Sequence, residues 1–110
     1  MVLFRQMTEE NTKSVSKAAH FLRRRDTWIR WVVEIDATLA ARVVGVHLAM
    51  RMSVGNQGSW PNIKTVAKAL DISSRHAQRG MLELEKFGAL NVHRQRGKGN
   101  YYTLRLPTDP

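Results

Sequence analysis

A mostly helical fold closed by a small β-hairpin wing is what this 110-residue sequence predicts. Three observations predict it. Asn62 to Leu70 and Ser74 to Phe87 are two amphipathic stretches separated only by Asp71-Ile72-Ser73. Gly88 stops the second of them, as glycine commonly does just past a helix end. Residues 89–94 and 101–106 then alternate apolar and polar on either side of Gly97-Lys98-Gly99-Asn100, the composition of a hairpin turn.

The elements follow in order. Residues 1–25 read as a flexible basic N-terminal arm, polar over its first twenty positions and inclined to helix near Val15, Ala18, Ala19 and Leu22. The folded domain is expected over 26–110. Asp26 is a good N-cap, and Trp28, Trp31, Val32 and Ile35 recur at helical spacing. Ile29-Trp31-Val33-Ile35 alternates like a strand, but no hairpin partner lies nearby and the cap favours the helix. After a break at Asp36-Ala37-Thr38, a helix is expected from Leu39 to Met52, with Leu39, Val43, Val46, Leu48, Ala49 and Met50 facing inward as core. Residues 54–59 have loop composition.

Asn62 can cap the next helix, whose apolar stripe is Ile63, Val66, Ala67 and Leu70. Ser73 can cap the one after it, with Ala77, Met81 and Leu84 inward and Leu82 and Phe87 at the margins. In the wing, Leu90 and Val92 alternate with polar neighbours, as do Tyr102, Leu104 and Leu106. Helix, tight turn, helix and hairpin in this order make a winged helix-turn-helix, a scaffold that can present one helix to the major groove of DNA.

The charge fits that scaffold. The chain carries +9 at neutral pH, and from Asn91 to Leu106 there are four basic residues and no acidic one. Arg23-Arg24-Arg25 makes a second cluster. A solvated basic surface is the plain explanation; concentration on a hairpin and an arm favours a polyanion, most often nucleic acid.

Several classes are disfavoured. With no cysteine, neither a disulfide framework nor a thiolate metal site is available. Residues 1–7 are apolar only until Arg5 and Gln6, so no secretory core is present, and Val43-Val44-Gly45-Val46 is too short to span a bilayer. A soluble cytoplasmic, nucleoid-associated protein without a membrane partner is expected. His20, His47, His76 and His93 fall on separate elements without metal-ligand spacing, and no nucleophile–base arrangement or phosphate-cradling loop stands out. His47, on an apolar helix, reads as a partly buried, hydrogen-bonded residue. No enzyme, cofactor or small-molecule ligand is expected.

Taken together, Trp60-Pro61-Asn62, Val66-Ala67, Asp71-Ile72-Ser73, Ala77-Gln78-Arg79, Leu84-Glu85-Lys86-Phe87-Gly88 and Asn100-Tyr101-Tyr102 resemble the winged helix-turn-helix proteins of bacterial plasmids, phages and transposons. The resemblance extends over about three quarters of the chain if the two-helix lead-in is included. Two positions depart from it: Asp71 stands where a turn glycine is usual, and His76 where threonine is common. The resemblance implies sequence-directed binding of double-stranded DNA by a small transcriptional regulator or, alternatively, a replication initiator.

On that reading Ser74, Arg75, Gln78 and Arg79 face the major groove. Arginine can pair with O6 and N7 of guanine, and glutamine with N6 and N7 of adenine. Arg94, Arg96, Lys98 and Asn100 on the wing meet the backbone or minor groove, with Gly97 and Gly99 allowing close approach. Lys64 and Thr65 donate to phosphate at a helix N-terminus, His76 lies at the groove edge, and Arg23, Arg24 and Arg25 form an accessory arm. The same residues also fit ordinary solvated helix faces and a polar hairpin tip. A single recognition helix reads few base pairs, so specificity calls for a homodimer on two half-sites or several copies side by side. Trp28 and Trp31 fit either such an interface or the core. A winged helix adapted to bind protein, through an exposed apolar patch, and an architectural DNA binder are the other readings.

Overall fold

The first helix, α1 (Val2–Glu34), contains neither glycine nor proline and runs unbroken through Asp26. The computed structural model describes residues 2–59, 61–95, 97 and 99–109, of which 2–16, 59 and 95 are described in backbone only. Within α1, Trp28 and Val32 are fully buried one turn apart, and Trp31 and Ile35 pack against the same core. The helical reading of this segment therefore holds over the strand reading. The expected boundary at residue 26 does not hold. Phe21 is buried two turns before Trp28, so apolar contact begins ahead of Asp26. One cap is worth about 1 kcal/mol, whereas burying a large apolar side chain contributes about 1.5–3 kcal/mol. Asp26 is an exposed interior residue of the helix.

Thr38 caps α2 (Leu39–Arg51): its Oγ1 accepts from the Ala41 N–H at 3.2 Å. The buried face of α2 is Ala41, Val44, Gly45, Leu48 and Ala49. This corrects the expected phase. Leu48 and Ala49 are inside as expected, but Leu39 is 68% exposed, Met50 64% and Val43 37%. Small residues decide the orientation. A Cβ on Gly45 would lie 3.0 Å from Cη2 of Trp28, and one on Gly80 would lie 3.1 Å from the Ala41 backbone. The helices meet where side chains are smallest, and the bulkier stripe of α2 is left outside.

Asn62 caps α3 (Ile63–Leu70), its Oδ1 accepting from the N–H groups of Lys64 at 3.0 Å and Thr65 at 3.4 Å. Val66 and Ala67 are buried. Asp71 ends the helix in the left-handed region at φ 54°, ψ 46°, the conformation its place in the turn requires and one that aspartate adopts more readily than most residues. Ser73 then caps α4 (Ser74–Lys86), accepting from the His76 N–H at 3.1 Å. Ala77, Gly80, Met81 and Leu84 form its buried face. Gly88, at φ 77°, turns the chain into the sheet, with the Ala89 N–H closing onto the Leu84 carbonyl at 2.9 Å.

The wing strands β2 (Leu90–Gln95) and β3 (Gly99–Leu104) pair antiparallel in the register Leu90↔Leu104 to Gln95↔Gly99. A third strand was not expected. Gly58–Ser59, inside the segment of loop composition, pairs with β3 as β1, so the sheet order is β1-β3-β2. The Tyr101 ring packs directly over Gly58: a Cβ there would fall 2.0 Å from the ring, which would have to swing aside. Leu90, Tyr102, Leu104 and Leu106 close the core below Trp28 and Leu84. The described residues thus form a mostly α fold with a hairpin wing, a winged helix-turn-helix arrangement. No helix among them is long and apolar enough to cross a membrane.

Candidate nucleic-acid interface

Because Ala77, Gly80, Met81 and Leu84 occupy the inner face of α4, helical periodicity sends Ser74, Arg75, Gln78, Arg79 and Leu82 outward. All five are exposed. Among the described residues no side-chain or backbone group accepts from Arg75, Gln78 or Arg79. The acidic side chains of α4 are occupied at its other end. Glu83 Oε1 accepts from the Thr38 N–H at 2.8 Å and Oε2 from the Thr38 hydroxyl at 2.6 Å, which holds this carboxyl below its usual range. Glu85 accepts from Arg94 Nη2 at 2.9 and 3.3 Å. The first two turns of α4 are therefore cationic, with donors free, and the acid is confined to the end nearer the wing.

His76 is exposed at the start of α4, and its Nδ1 lies 2.8 Å from the Ser73 hydroxyl, so the ring is folded onto the cap. Lys64 and Thr65 are exposed, but their N–H groups are bound by Asn62, leaving the side chains for an external anion. On the wing, Arg94 is exposed yet tied to Glu85, and Asn100 Nδ2 donates to the Tyr102 hydroxyl at 3.3 Å. Gly97 (φ 79°) and Gly99 (φ 76°) make the turn, with open space around each. Arg96 and Lys98 lie outside the described residues.

The three-arginine arm does not form as one surface. Consecutive helical residues point about 100° apart, and the three guanidiniums go different ways. Arg23 is exposed. Arg24 reaches across the domain to Asp109, with Nη1 donating to Oδ1 at 2.8 Å and Nη2 to Oδ2, and Nη2 also contacts the Leu104 carbonyl at 3.3 Å. Arg25 Nη1 donates to the Met52 carbonyl at 3.4 Å. Arg24 and Arg25 are ties between α1 and the rest of the fold.

Trp28 is likewise a core anchor, its Nε1 donating to the Ala89 carbonyl at 2.8 Å. Among the described residues no three His, Asp or Glu side chains gather as a metal site. His47 is half-buried, and its pKa is lowered first by burial and then by Arg51. No hydrogen bond holds its ring among the described residues; it lines an open apolar groove with Val33, Leu39, Val43, Val46 and Met50. Sequence reasoning missed this groove, although the spacing 39, 43, 46, 50 was visible. It also missed the Glu85–Arg94 pair, for which alternation in β2 carries no signal.

No family model matches the chain, and no curated protein matches it.

Proposed function

We propose that the protein binds double-stranded DNA in a sequence-directed way, as a small transcriptional regulator acting on the nucleoid in the cytoplasm. One observation carries this reading: Arg75, Gln78 and Arg79 stand exposed on the outer face of α4, the second helix of a helix-turn-helix, with no partner among the described residues. Their donors and acceptors suit base edges in the major groove, and the first turn of a helix favours a nearby anion. The wing begins beside α4, where Arg94 meets Glu85, so its glycine turn can reach the flanking backbone or minor groove. Lys64 and Arg23 add exposed positive charge on other elements. Occupancy of a site is the mechanism, with α4 reading bases and the wing neutralising phosphates; no catalytic step enters.

The test is selection from a randomised duplex pool, with affinity repeated at two salt concentrations. Enrichment of a defined motif supports the reading. Contact with about five to eight phosphates makes affinity fall by orders of magnitude from low to moderate salt. Salt-dependent binding without enrichment instead supports an architectural or replication-initiator role, and absence of binding at low salt overturns the DNA reading.

A further inference from the structure

We infer that the outer face of α2 is the seam of a homodimer in which Leu39, Val43, Val46 and Met50 pack antiparallel against the same four residues of a second copy. Their spacing of four, three and four residues is that of a helix–helix seam. They lie on the side of α2 opposite its buried face of Ala41, Val44, Gly45 and Leu48, so the fold leaves Leu39, Val43 and Met50 exposed and Val46 half-buried. Leu39 and Met50 are each about two-thirds exposed, at the two ends of the stripe. Val33 and Leu70 extend the apolar groove on either side.

Charge selects a second copy and its direction. Helix α2 has no acidic residue and ends in Arg51, while Glu34 and Asp36, both exposed, precede its start. Parallel packing would set Arg51 against Arg51. Antiparallel packing sets Arg51 near Glu34 and Asp36 of the partner subunit, twice over, and opposes the two helix dipoles. The seam is self-complementary about a point midway between Val43 and Val46, so Val43 meets Val46 of the partner subunit and Leu39 meets Met50 of the partner subunit. Arg42 then approaches His47 of the partner subunit, and burial with neighbouring Arg51 favours the neutral form of that imidazole. Arg42 is itself drawn back by its Nη1, which donates to the Val33 carbonyl at 3.2 Å.

This association does not rest on DNA binding and is measured without DNA, by sedimentation of the full chain from micromolar to near-millimolar concentration. Wild type is expected to dimerise. Val43→Glu places a carboxylate on each side of the seam and is expected to raise the dimer dissociation constant ~100-fold or more. Val43 is outside the core, and an unchanged circular dichroism melt of dilute protein checks that the monomer is intact. Direction is read by mild oxidation of mixed Leu39→Cys and Met50→Cys proteins, in a chain that otherwise lacks cysteine. The antiparallel seam yields only the mixed disulfide, because like positions are offset by about 16 Å along the axis, beyond disulfide reach. A wild type that stays monomeric, a Val43→Glu protein that still dimerises, or disulfides between like positions would each overturn the inference.

Discussion

Trp28 Nε1 donates to the Ala89 carbonyl oxygen at 2.8 Å, joining the buried face of α1 to the residue that leads into the wing. The same carbonyl accepts from the Arg105 N–H at 2.9 Å, so one oxygen gathers α1, β2 and the end of β3. Trp28→Phe keeps most of the packing and leaves that oxygen one partner. Urea unfolding is expected to record a loss of ~1–3 kcal/mol, with the protein still folded. Trp28→Ala should cost about 3–5 kcal/mol, a large share of a small domain's stability.

Gly80 sets the distance between α2 and α4. A Cβ there would meet the Ala41 Cα at 3.1 Å and the Ala40 carbonyl at 3.2 Å, both backbone atoms with little room to give. Overpacking costs about 1–3 kcal/mol and outweighs the roughly 1 kcal/mol that alanine gains in helix propensity. Gly80→Ala should therefore lower the urea midpoint, although the same substitution in an exposed helix would raise it.

Arg75→Ala and Glu85→Gln are expected to act in opposite directions on DNA. On the proposed DNA reading, removing Arg75 from the outer face of α4 should cost about 1–3 kcal/mol on the selected site and relax discrimination against mismatched sites. Neutralising Glu85 frees Arg94 and removes a carboxylate near the cationic face, so affinity should rise several-fold on every duplex. The exposed ion pair is worth only about 0–1 kcal/mol to folding, which keeps the second effect separable from stability.

Acid should loosen the contact between α1 and the C-terminal segment. The hydrogen bonds from Arg24 hold the Asp109 carboxyl well below the usual range, with the Leu106 N–H as a second cause. A depressed carboxylate contributes stability that is complete above the unfolded-state value, near about pH 4, and is lost as pH falls toward the folded-state value. Asp109→Asn should flatten the acid limb of the stability profile between those limits. The measurement is the denaturation midpoint of both proteins as pH is lowered.

The elements that read well from sequence carry their own chemistry locally. Asn62 and Ser73 bond N–H groups two or three residues away, and Asp71 takes its left-handed turn within a single residue. The outward set of Arg75, Gln78 and Arg79 followed from the inward set of Ala77, Met81 and Leu84. Features set by distant partners were not legible. In α2 two apolar stripes compete, and hydrophobicity favoured the bulkier one, whereas Ala41, Gly45 and Ala49 win because backbones can approach there. Strand β1 is two residues of loop composition that exist as a strand only against β3. Arg24 gives no local hint that its partner lies 85 residues further on.

The separation of 61 positions from Trp28 to its hydrogen-bond partner also matters during translation. At ordinary elongation rates about 3–12 s separate synthesis of the indole from that of the Ala89 carbonyl. Helices α2 to α4 are synthesised in that interval, but the indole N–H gains its acceptor only with the residue that leads into the wing. A chain ending after α4 would carry both helices of the helix-turn-helix without the acceptor that latches Trp28 and the N-terminal helix.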